Sequence, residues 1–202
     1  MDNKQEKFFQ PNEIAEVLRN LESHSPAQIM QGSEPAGYLI SVNDYEYFNQ
    51  VEKAYISLML SISQVLDTHE SYLAGHSARI ALLATELSKA LGHDNEMVEQ
   101  INLAGHLHDI GEIIVPTDLL RKSGELTEEE LELIKLHPAK GAEIIRAVHS
   151  LEPVASIVES HHERYDGAGY PNQLSGNEIP VGARILAVVD TYDAITNFRL
   201  HK

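Results

Sequence analysis

Hydrophobic residues recur at helical spacing along most of the chain, and they predict a succession of helices. The segment Ser77–Leu91 is a clear example, because Ile80, Ala84 and Leu87 share one face. Similar patterns predict helices over 44–67, 96–109, 127–136, 138–149, 153–162 and 181–196. The glycine- and proline-containing stretch YDGAGYPNQLSGNEIP (165–180) is predicted to be a structured loop. We therefore expect an all-α fold, a helical bundle in which each helix buries its apolar face against others.

Residues 1–66 are predicted to be a short helical and linker appendage to a domain that occupies residues 67–202. The pattern predicts a short amphipathic helix over 11–21 and a short strand at Tyr38–Val42. The stretch HSPAQIMQGSEPA (24–36) contains two prolines and a glycine, which is typical of a linker.

An apolar stripe runs along the predicted helix 44–67. Its residues are three and four positions apart, which is the spacing of a coiled-coil seam. They are Phe48, Val51, Tyr55, Leu58, Ile62 and Val65. Two interpretations remain open with equal weight. The stripe either packs against the following domain, or it forms a homodimer or transmits a signal.

Composition narrows the classes of partner. The 202 residues include 31 acidic and 15 basic ones, for a net charge of −16, which argues against a nucleic acid polymer or an anionic membrane surface as the main partner. The longest apolar run, Ala54–Ser63, is far shorter than a bilayer span requires, so no membrane insertion is expected. The chain has no cysteine, which excludes a thiolate nucleophile and a disulfide and fits a cytoplasmic location.

Histidine supplies the candidate chemistry, since the chain has 11 of them. Several lie with two aspartates in or at the ends of separate predicted helices, which a bundle can bring together. They are His76, His108–Asp109, His137, His161–His162 and Asp190. Each histidine alone is more often a core or capping residue than a ligand. Together they favour a metal centre, and seven donors suit two ions bridged by one carboxylate.

Four segments carry a family resemblance: HLHDIGE (106–112), LHPAKG (136–141), HHERYDGAGYP (161–171) and RILAVVDTYDAITNFR (184–199). They resemble the HD-GYP family of metal-dependent phosphodiesterases, and the likeness extends from about Asp67 to Lys202. The resemblance implies an HD-type helical bundle with a metal centre in its core. It also implies a bacterial signalling enzyme that hydrolyses cyclic di-GMP to pGpG or GMP through a metal-bridging hydroxide.

Residue roles follow from the same resemblance. It implies one ion on His76, His108 and Asp190, a second on His137, His161 and His162, and Asp109 as the bridge. Family members with a third metal carry a glutamate where this chain has Tyr72, so two divalent transition metal ions are expected, of Fe, Mn, Zn, Ni or Co. The residues expected to contact the cyclic dinucleotide are Tyr170, Asp193, Arg199 and Lys202.

Two departures from the family pattern affect the expected activity. The family reads HDIGK, whereas this chain has Glu112 in place of that catalytic lysine. The carboxylate of Glu112 either acts on the metals and the phosphate or points away harmlessly. If it acts there, the alternative function is a catalytically impaired, metal-binding receptor or interaction module with a signalling protein partner. Family domains also continue with further helices beyond the position of Lys202, so we expect exposed apolar surface that associates with a partner or a second copy.

Overall fold

Helices make up most of the part of the chain that the structure, a computed structural model, describes, namely residues 27–31, 34–69 and 75–197. They are α1 (Val42–His69), α2 (His76–Ala90), α3 (Asn95–Leu107), α4 (Thr117–Leu120), α5 (Glu128–Ile134), α6 (His137–Ile145), α7 (Glu152–Glu159) and α8 (Val181–Thr196). Short 3₁₀ helices at Ile110–Ile114, His149–Leu151 and Gly176–Glu178 lie between them. The predicted all-α bundle is confirmed. Within these ranges no helix has the length and apolar character needed to cross a membrane.

A two-stranded hairpin precedes α1. Strand β1 (Ala27–Gln31) pairs antiparallel with β2 (Glu34–Leu39), with Ala27 opposite Leu39. The prediction of a linker over 24–36 is therefore wrong for the paired residues, and the strand predicted at 38–42 ends at Leu39. Proline and glycine suggested a linker, but both strands of a hairpin are edges, where Pro35 is tolerated without breaking a central ladder. The helix predicted over 11–21 lies outside the described residues.

The chain divides into two compact units, Met1–Ala54 and Tyr55–Lys202. The boundary expected after residue 66 marks where the family resemblance begins. Within the second unit, the later turns of α1 pack on the helical core. Met59 is buried there, and so are Ser63 and Asp67 further along the same face. The Ser63 hydroxyl donates a hydrogen bond to the carbonyl of His106, and Asp67 accepts two from Ser77. These contacts explain why the end of α1 belongs to the second unit.

The apolar stripe of α1 lies on a different face from these buried residues. In the second unit, Leu58 is 56% exposed and Val65 is 54% exposed, and Tyr55 is exposed as well. The interpretation that the whole stripe packs against the following domain is wrong for these three residues, although Ile62 does pack against the core. Their apolar surface remains open to solvent in a single chain.

The core of the second unit forms where α2, α3, α7 and α8 pack against one another. The largest buried side chains include Ile80, Ile101, Leu107 and Leu186, each no more than 1% exposed. Burying an aliphatic side chain of this size contributes about 1.5–3 kcal/mol, so this core holds the helix ends in fixed positions. Those ends carry the histidines and aspartates that the sequence singled out.

Candidate metal centre

All seven side chains that were predicted to hold metal converge on one space in the second unit. They come from the first residue of α2 (His76), the residues after α3 (His108 and Asp109), the first residue of α6 (His137), the turn after α7 (His161 and His162) and the middle of α8 (Asp190). Two groups form, and within each group the ligand atoms lie within 4.8 Å of one another. The first group is His76, His108 and Asp109, and the second is His137, His161 and His162. Asp190 joins the first group, because its Oδ1 is 3.5 Å from His76 Nε2.

Asp109 lies between the two groups and turns one carboxylate oxygen toward each. Its Oδ2 is 2.9 Å from His108 Nε2 and 3.9 Å from His76 Nε2. Its Oδ1 is 3.5 Å from His137 Nε2 and 3.9 Å from His161 Nε2. Its two oxygens therefore face separate sets of imidazoles, an arrangement in which one carboxylate can contact two cations.

Backbone carbonyls orient three of the imidazoles. In each case Nδ1 contacts the carbonyl oxygen three residues earlier, at 2.9 Å for His108, 2.8 Å for His137 and 2.6 Å for His161. When Nδ1–H donates to a carbonyl, Nε2 keeps the lone pair that binds a metal. The buried Nε2 of His108 forms no hydrogen bond, even though Asp109 Oδ2 is close to it. Such a nitrogen needs a ligand, and these donors therefore fit a metal ion.

A carboxylate, rather than a carbonyl, orients His76. Asp193 Oδ2 is 2.9 Å from His76 Nδ1, and Arg79 donates to both Asp193 oxygens at 2.9 and 3.1 Å. Burial alone would raise the pKa of Asp193, but the hydrogen bonds from Arg79 and His76 lower it to about 2. Asp193 is thus a buried, ionised residue whose contacts turn His76 Nε2 toward Asp109 and Asp190.

The imidazoles of the second group are held neutral. Burial lowers the pKa of His137. Burial, together with the repulsion that a protonated His137 would exert, lowers the pKa of His162 to about 4. Burial, with His162 and other imidazoles nearby, holds the pKa of His161 well below its ordinary value. Neutral imidazole is the form that binds metal, so this group needs no deprotonation at pH 7.

The pKa values of His108 and Asp109 are shifted in opposite directions, so that both side chains favour their charged forms. Burial alone would lower the pKa of His108, but the negative charge of Asp109 raises it to about 9. Burial would likewise raise the pKa of Asp109, but His108, followed by His137 and His161, holds it well below its ordinary value. A proton on His108 and a cation in the first group therefore compete for the same charge on Asp109.

Gly111 allows the turn after Asp109 to lie against the start of α6. A Cβ atom at Gly111 would lie 2.0 Å from the carbonyl oxygen of His137 and 2.6 Å from the backbone nitrogen of Gly141. Any larger residue would push these two backbone segments apart. The contact between Asp109 Oδ1 and His137 depends on this close approach.

The loop at 165–180 is fixed to the end of α7 and brings Tyr170 to the centre. Buried Glu163 accepts hydrogen bonds from the backbone nitrogens of Asn172 and Leu174 at 2.6 and 3.1 Å. A Cβ at Gly169 would lie 2.3 Å from the backbone nitrogen of Arg164, so only glycine fits there. The ring of Tyr170 stacks on His162, with centroids 4.9 Å apart.

The negative charge of Glu112 also acts on Tyr170. Burial raises the pKa of Tyr170, and the negative charges of Asp109, Asp190 and Glu112 raise it further. Glu112, half-buried in the 3₁₀ helix that follows Asp109, thus acts on the same phenol as the two aspartates of the centre. Its carboxylate adds to the negative potential near Tyr170.

Known proteins share this sequence pattern. A sequence model of the HD domain family matches residues 60–202. The chain is 35% identical over 156 residues to the cyclic di-GMP phosphodiesterase response regulator RpfG of Xanthomonas campestris, covering 76% of this chain and 41% of that protein. It is 33% identical over 147 residues to the 3'3'-cGAMP-specific phosphodiesterase 2 of Vibrio cholerae, covering 72% and 28% of the two. The chain belongs to the HD-GYP family.

A solved HD-GYP structure has the same fold. Bd1817, an HDG"Y"P protein from Bdellovibrio bacteriovorus, superposes with a TM-score of 0.54 at 22% identity, covering 80% of this chain and 55% of that one. This chain spans less than half the length of the curated HD-GYP relatives it matches. HD domains are metal-dependent, and both groups of donors described above could hold an ion.

The residues named from the HD-GYP pattern differ in where they lie. Tyr72, Arg199 and Lys202 lie outside the described residues. Of the expected substrate contacts, Tyr170 lies at the centre, whereas Asp193 is 1% exposed and bound to His76 and Arg79. Sequence reasoning missed this contact, although Asp193 follows Asp190 by three residues and so shares its side of α8.

Proposed function

We propose that this chain is a metal-dependent phosphodiesterase that hydrolyses a cyclic dinucleotide. The observation that carries the proposal is the position of the Asp109 carboxylate, whose two oxygens face two separate groups of imidazoles. We assign one divalent transition metal ion to His76, His108 and Asp190, a second to His137, His161 and His162, and the bridge between them to Asp109. The metals remain unidentified among Fe, Mn, Zn, Ni and Co.

The chain's own residues prepare the site for an anionic substrate. When bound, two divalent cations neutralise a phosphate and lower the pKa of a coordinated water. Asp109 fixes the spacing of the two groups, and Asp193 holds His76 in the orientation that faces them. Tyr170, stacked on His162, offers a flat surface for a guanine or an edge for the phosphodiester. Hydrolysis then joins a water oxygen to phosphorus, and the departing ribose oxygen takes up a proton.

Cyclic di-GMP is the proposed substrate. Relatives such as RpfG are named cyclic di-GMP phosphodiesterases, and others are named 3'3'-cGAMP-specific, which differs in one base. Both molecules present the same phosphodiester to a metal centre. The base preference therefore belongs to residues around Tyr170 and not to the imidazoles.

The test combines elemental analysis with a hydrolysis assay. Protein loaded in turn with each candidate metal should contain two ions per chain and convert cyclic di-GMP to linear pGpG or GMP. Cyclic GMP-AMP assayed in parallel measures the base preference. Failure of every metal-loaded form to cleave either molecule would refute the proposal.

Asp109→Asn identifies the residue that carries the chemistry. The amide loses the charge and one metal-binding oxygen, so metal content should fall and turnover should disappear. Asp118→Asn is the matched control, since Asp118 is an exposed acid nine positions along the chain. A variant of Asp109 that kept both ions and full turnover would rule out its bridging role.

A second candidate function is a metal-binding receptor or interaction module with impaired turnover, coupled to a signalling protein partner. The observation that favours it is the charge of Glu112 near Tyr170, where the family pattern has a lysine. Losing a positive group and gaining a negative one near the developing charge lowers the rate by roughly 10²–10³-fold. This candidate binds cyclic di-GMP without releasing product.

Glu112→Lys separates the two candidates. If Glu112 suppresses catalysis, the variant should gain turnover by roughly 10²-fold or more. Glu112→Gln removes the charge without adding another. Its turnover should lie between that of the wild type and that of Glu112→Lys. Equal turnover in all three proteins would show that residue 112 does not limit the reaction and would eliminate this explanation of impairment.

We also propose that α1 pairs two copies of the chain through its apolar stripe. The exposed Leu58 and Val65 support this arrangement, as does the heptad spacing of the stripe. The cytoplasmic location, based on the absence of cysteine, stays a prediction.

A further inference from the structure

Lys135 brings a positive charge to the edge of the candidate metal centre. It follows the last residue of α5 and precedes His137 by two positions. Its ammonium is 5.9 Å from the centroid of the Tyr170 ring, and that ring stacks on His162. The ammonium therefore lies beside the aromatic side chain that covers one of the candidate ligands.

The salt bridge that Lys135 forms in the absence of substrate is easily exchanged. Its Nζ lies 2.7 Å from an oxygen of Glu132, three residues earlier. The side chain of Glu132 is 69% exposed, and ion pairs between exposed side chains contribute little to stability. An incoming anion can replace Glu132 at small cost, because the ammonium of Lys135 already lies near the Tyr170 ring.

Several other basic side chains of the second unit are paired with acids. The pairs are Arg79 with Asp193, Lys122 with Glu130, Lys140 with Glu143, Arg146 with Glu152 and Glu159, and Arg164 with Asp166. The position where the family pattern has a lysine near the phosphate is Glu112 here. A doubly anionic substrate that approaches a chain with net charge −16 needs a cation at the entrance.

We propose that Lys135 binds the phosphate of the cyclic dinucleotide that is not being hydrolysed, an inference that rests on the function proposed above. A cyclic dinucleotide has two phosphodiesters on opposite sides of its ring. When one is bound at the metal centre, the other lies several ångströms away and needs a second cationic partner. An ammonium on a flexible stem is a suitable donor for this second anion.

The test compares Lys135→Gln with Lys140→Gln on two substrates. Lys140 is a matched control, because it also pairs with a glutamate three positions away and is more exposed, at 46% against 32%. Lys135→Gln should raise KM for cyclic di-GMP roughly 10- to 100-fold and leave kcat within about two-fold, as expected for the loss of a charge-assisted hydrogen bond. It should leave KM unchanged for bis(p-nitrophenyl) phosphate, which has a single phosphodiester.

Two further measurements distinguish binding from a structural role. Lys135→Arg keeps the charge and should recover most of the affinity for cyclic di-GMP. Added salt should raise KM of the wild type more steeply than KM of Lys135→Gln, because screening weakens an interaction that the variant lacks.

The outcomes separate this inference from the proposed function. If the wild type cleaves cyclic di-GMP and Lys135→Gln behaves like Lys140→Gln, only the role of Lys135 is overturned. Equal losses on both substrates would also overturn it, since they would indicate a disturbed metal centre. If the wild type cleaves bis(p-nitrophenyl) phosphate but no cyclic dinucleotide, the substrate class fails and the role of Lys135 fails with it.

Discussion

Asp193 illustrates how much a single residue's surroundings add to its sequence position. The family resemblance marks it as a substrate contact, and its spacing from Asp190 places both on one side of α8. The structure adds that His76 and Arg79 occupy its carboxylate. Sequence spacing predicted which histidines and aspartates meet, because helix ends converge in a bundle. It could not predict which polar group faces each one, since that depends on how α2 and α8 are rotated against each other.

Asp193→Asn tests the positioning role. An amide cannot accept hydrogen bonds from both His76 and Arg79 with the strength of a carboxylate, so affinity for metal in the first group should fall roughly 10–100-fold. Competition with a chelator measures that affinity without any need for turnover. Asp118→Asn again serves as control. Unaltered affinity with lost hydrolysis would instead support the substrate contact that the resemblance implies.

Asp193→Asn should also change how the free energy of unfolding depends on pH. The pKa of Asp193 is about 2 in the folded chain and about 3.9 in an unfolded one, so its ionised form favours folding. Its contribution, roughly 2 kcal/mol, is fully present above about pH 5 and is lost as pH falls through about 2. In metal-free protein, the difference in unfolding free energy between wild type and Asp193→Asn should shrink over that interval. Urea titrations at pH 6, 4 and 2.5 measure it, and a constant difference would contradict the assignment.

At the scale of elements, helices were predictable because their apolar faces repeat, whereas the hairpin β1–β2 was not. A hairpin forms through pairing between two short segments, and neither segment shows a long period of its own. The contact between the turn at Gly111 and the start of α6 was also beyond the sequence, since it joins residues from separate elements. This contact sets the distance between Asp109 and His137.

Gly111→Ala should separate these two elements. The added methyl would meet the His137 carbonyl at 2.0 Å, so the backbone must shift, and overpacking of this kind costs about 1–3 kcal/mol or more. The free energy of unfolding and the metal content should both decrease. Gly124→Ala is the control, because a methyl there meets nothing within 4 Å. Similar results for the two variants would mean that the close approach does not matter.

The stripe of α1 has its own test. Replacing Leu58 and Val65 with glutamate puts like charges on the proposed seam between two copies, which should convert a dimer to a monomer in analytical ultracentrifugation. Ser57→Glu adds a charge on an exposed residue of the same helix outside the stripe and should leave the dimer intact. A wild-type chain that stays monomeric at high concentration would exclude pairing through α1.

At the scale of the whole molecule, the proposed metal centre should couple metal binding to folding. The candidate donors come from α2, α6, α8 and the turns after α3 and α7, so the two proposed ions together would link most of the bundle. Family and fold class could be predicted from sequence because motifs carry them, and so could the convergence of five histidines and two aspartates. The division of the chain between Ala54 and Tyr55 could not be predicted, since the hydrophobic pattern of α1 continues across this point without a break.

Removing metal should therefore lower the melting temperature. A ligand present at a thousand times its dissociation constant stabilises by about 4 kcal/mol, which corresponds to roughly 10 °C for a domain of this size. Differential scanning calorimetry before and after chelation measures the shift. Asp109→Ala should show little response to added metal. A wild type whose melting temperature ignores chelation would argue that the donors do not hold an ion.

If Asp109 bridges two ions as proposed, its carboxylate would affect how the chain takes them up. A first cation on one oxygen would fix the rotation of the carboxylate and so aim the other oxygen at the neighbouring group before a second cation arrives. Loading should thus be cooperative, with a first ion raising the affinity for the next. The chain would respond to the availability of metal as a threshold, with few half-loaded molecules on either side of it.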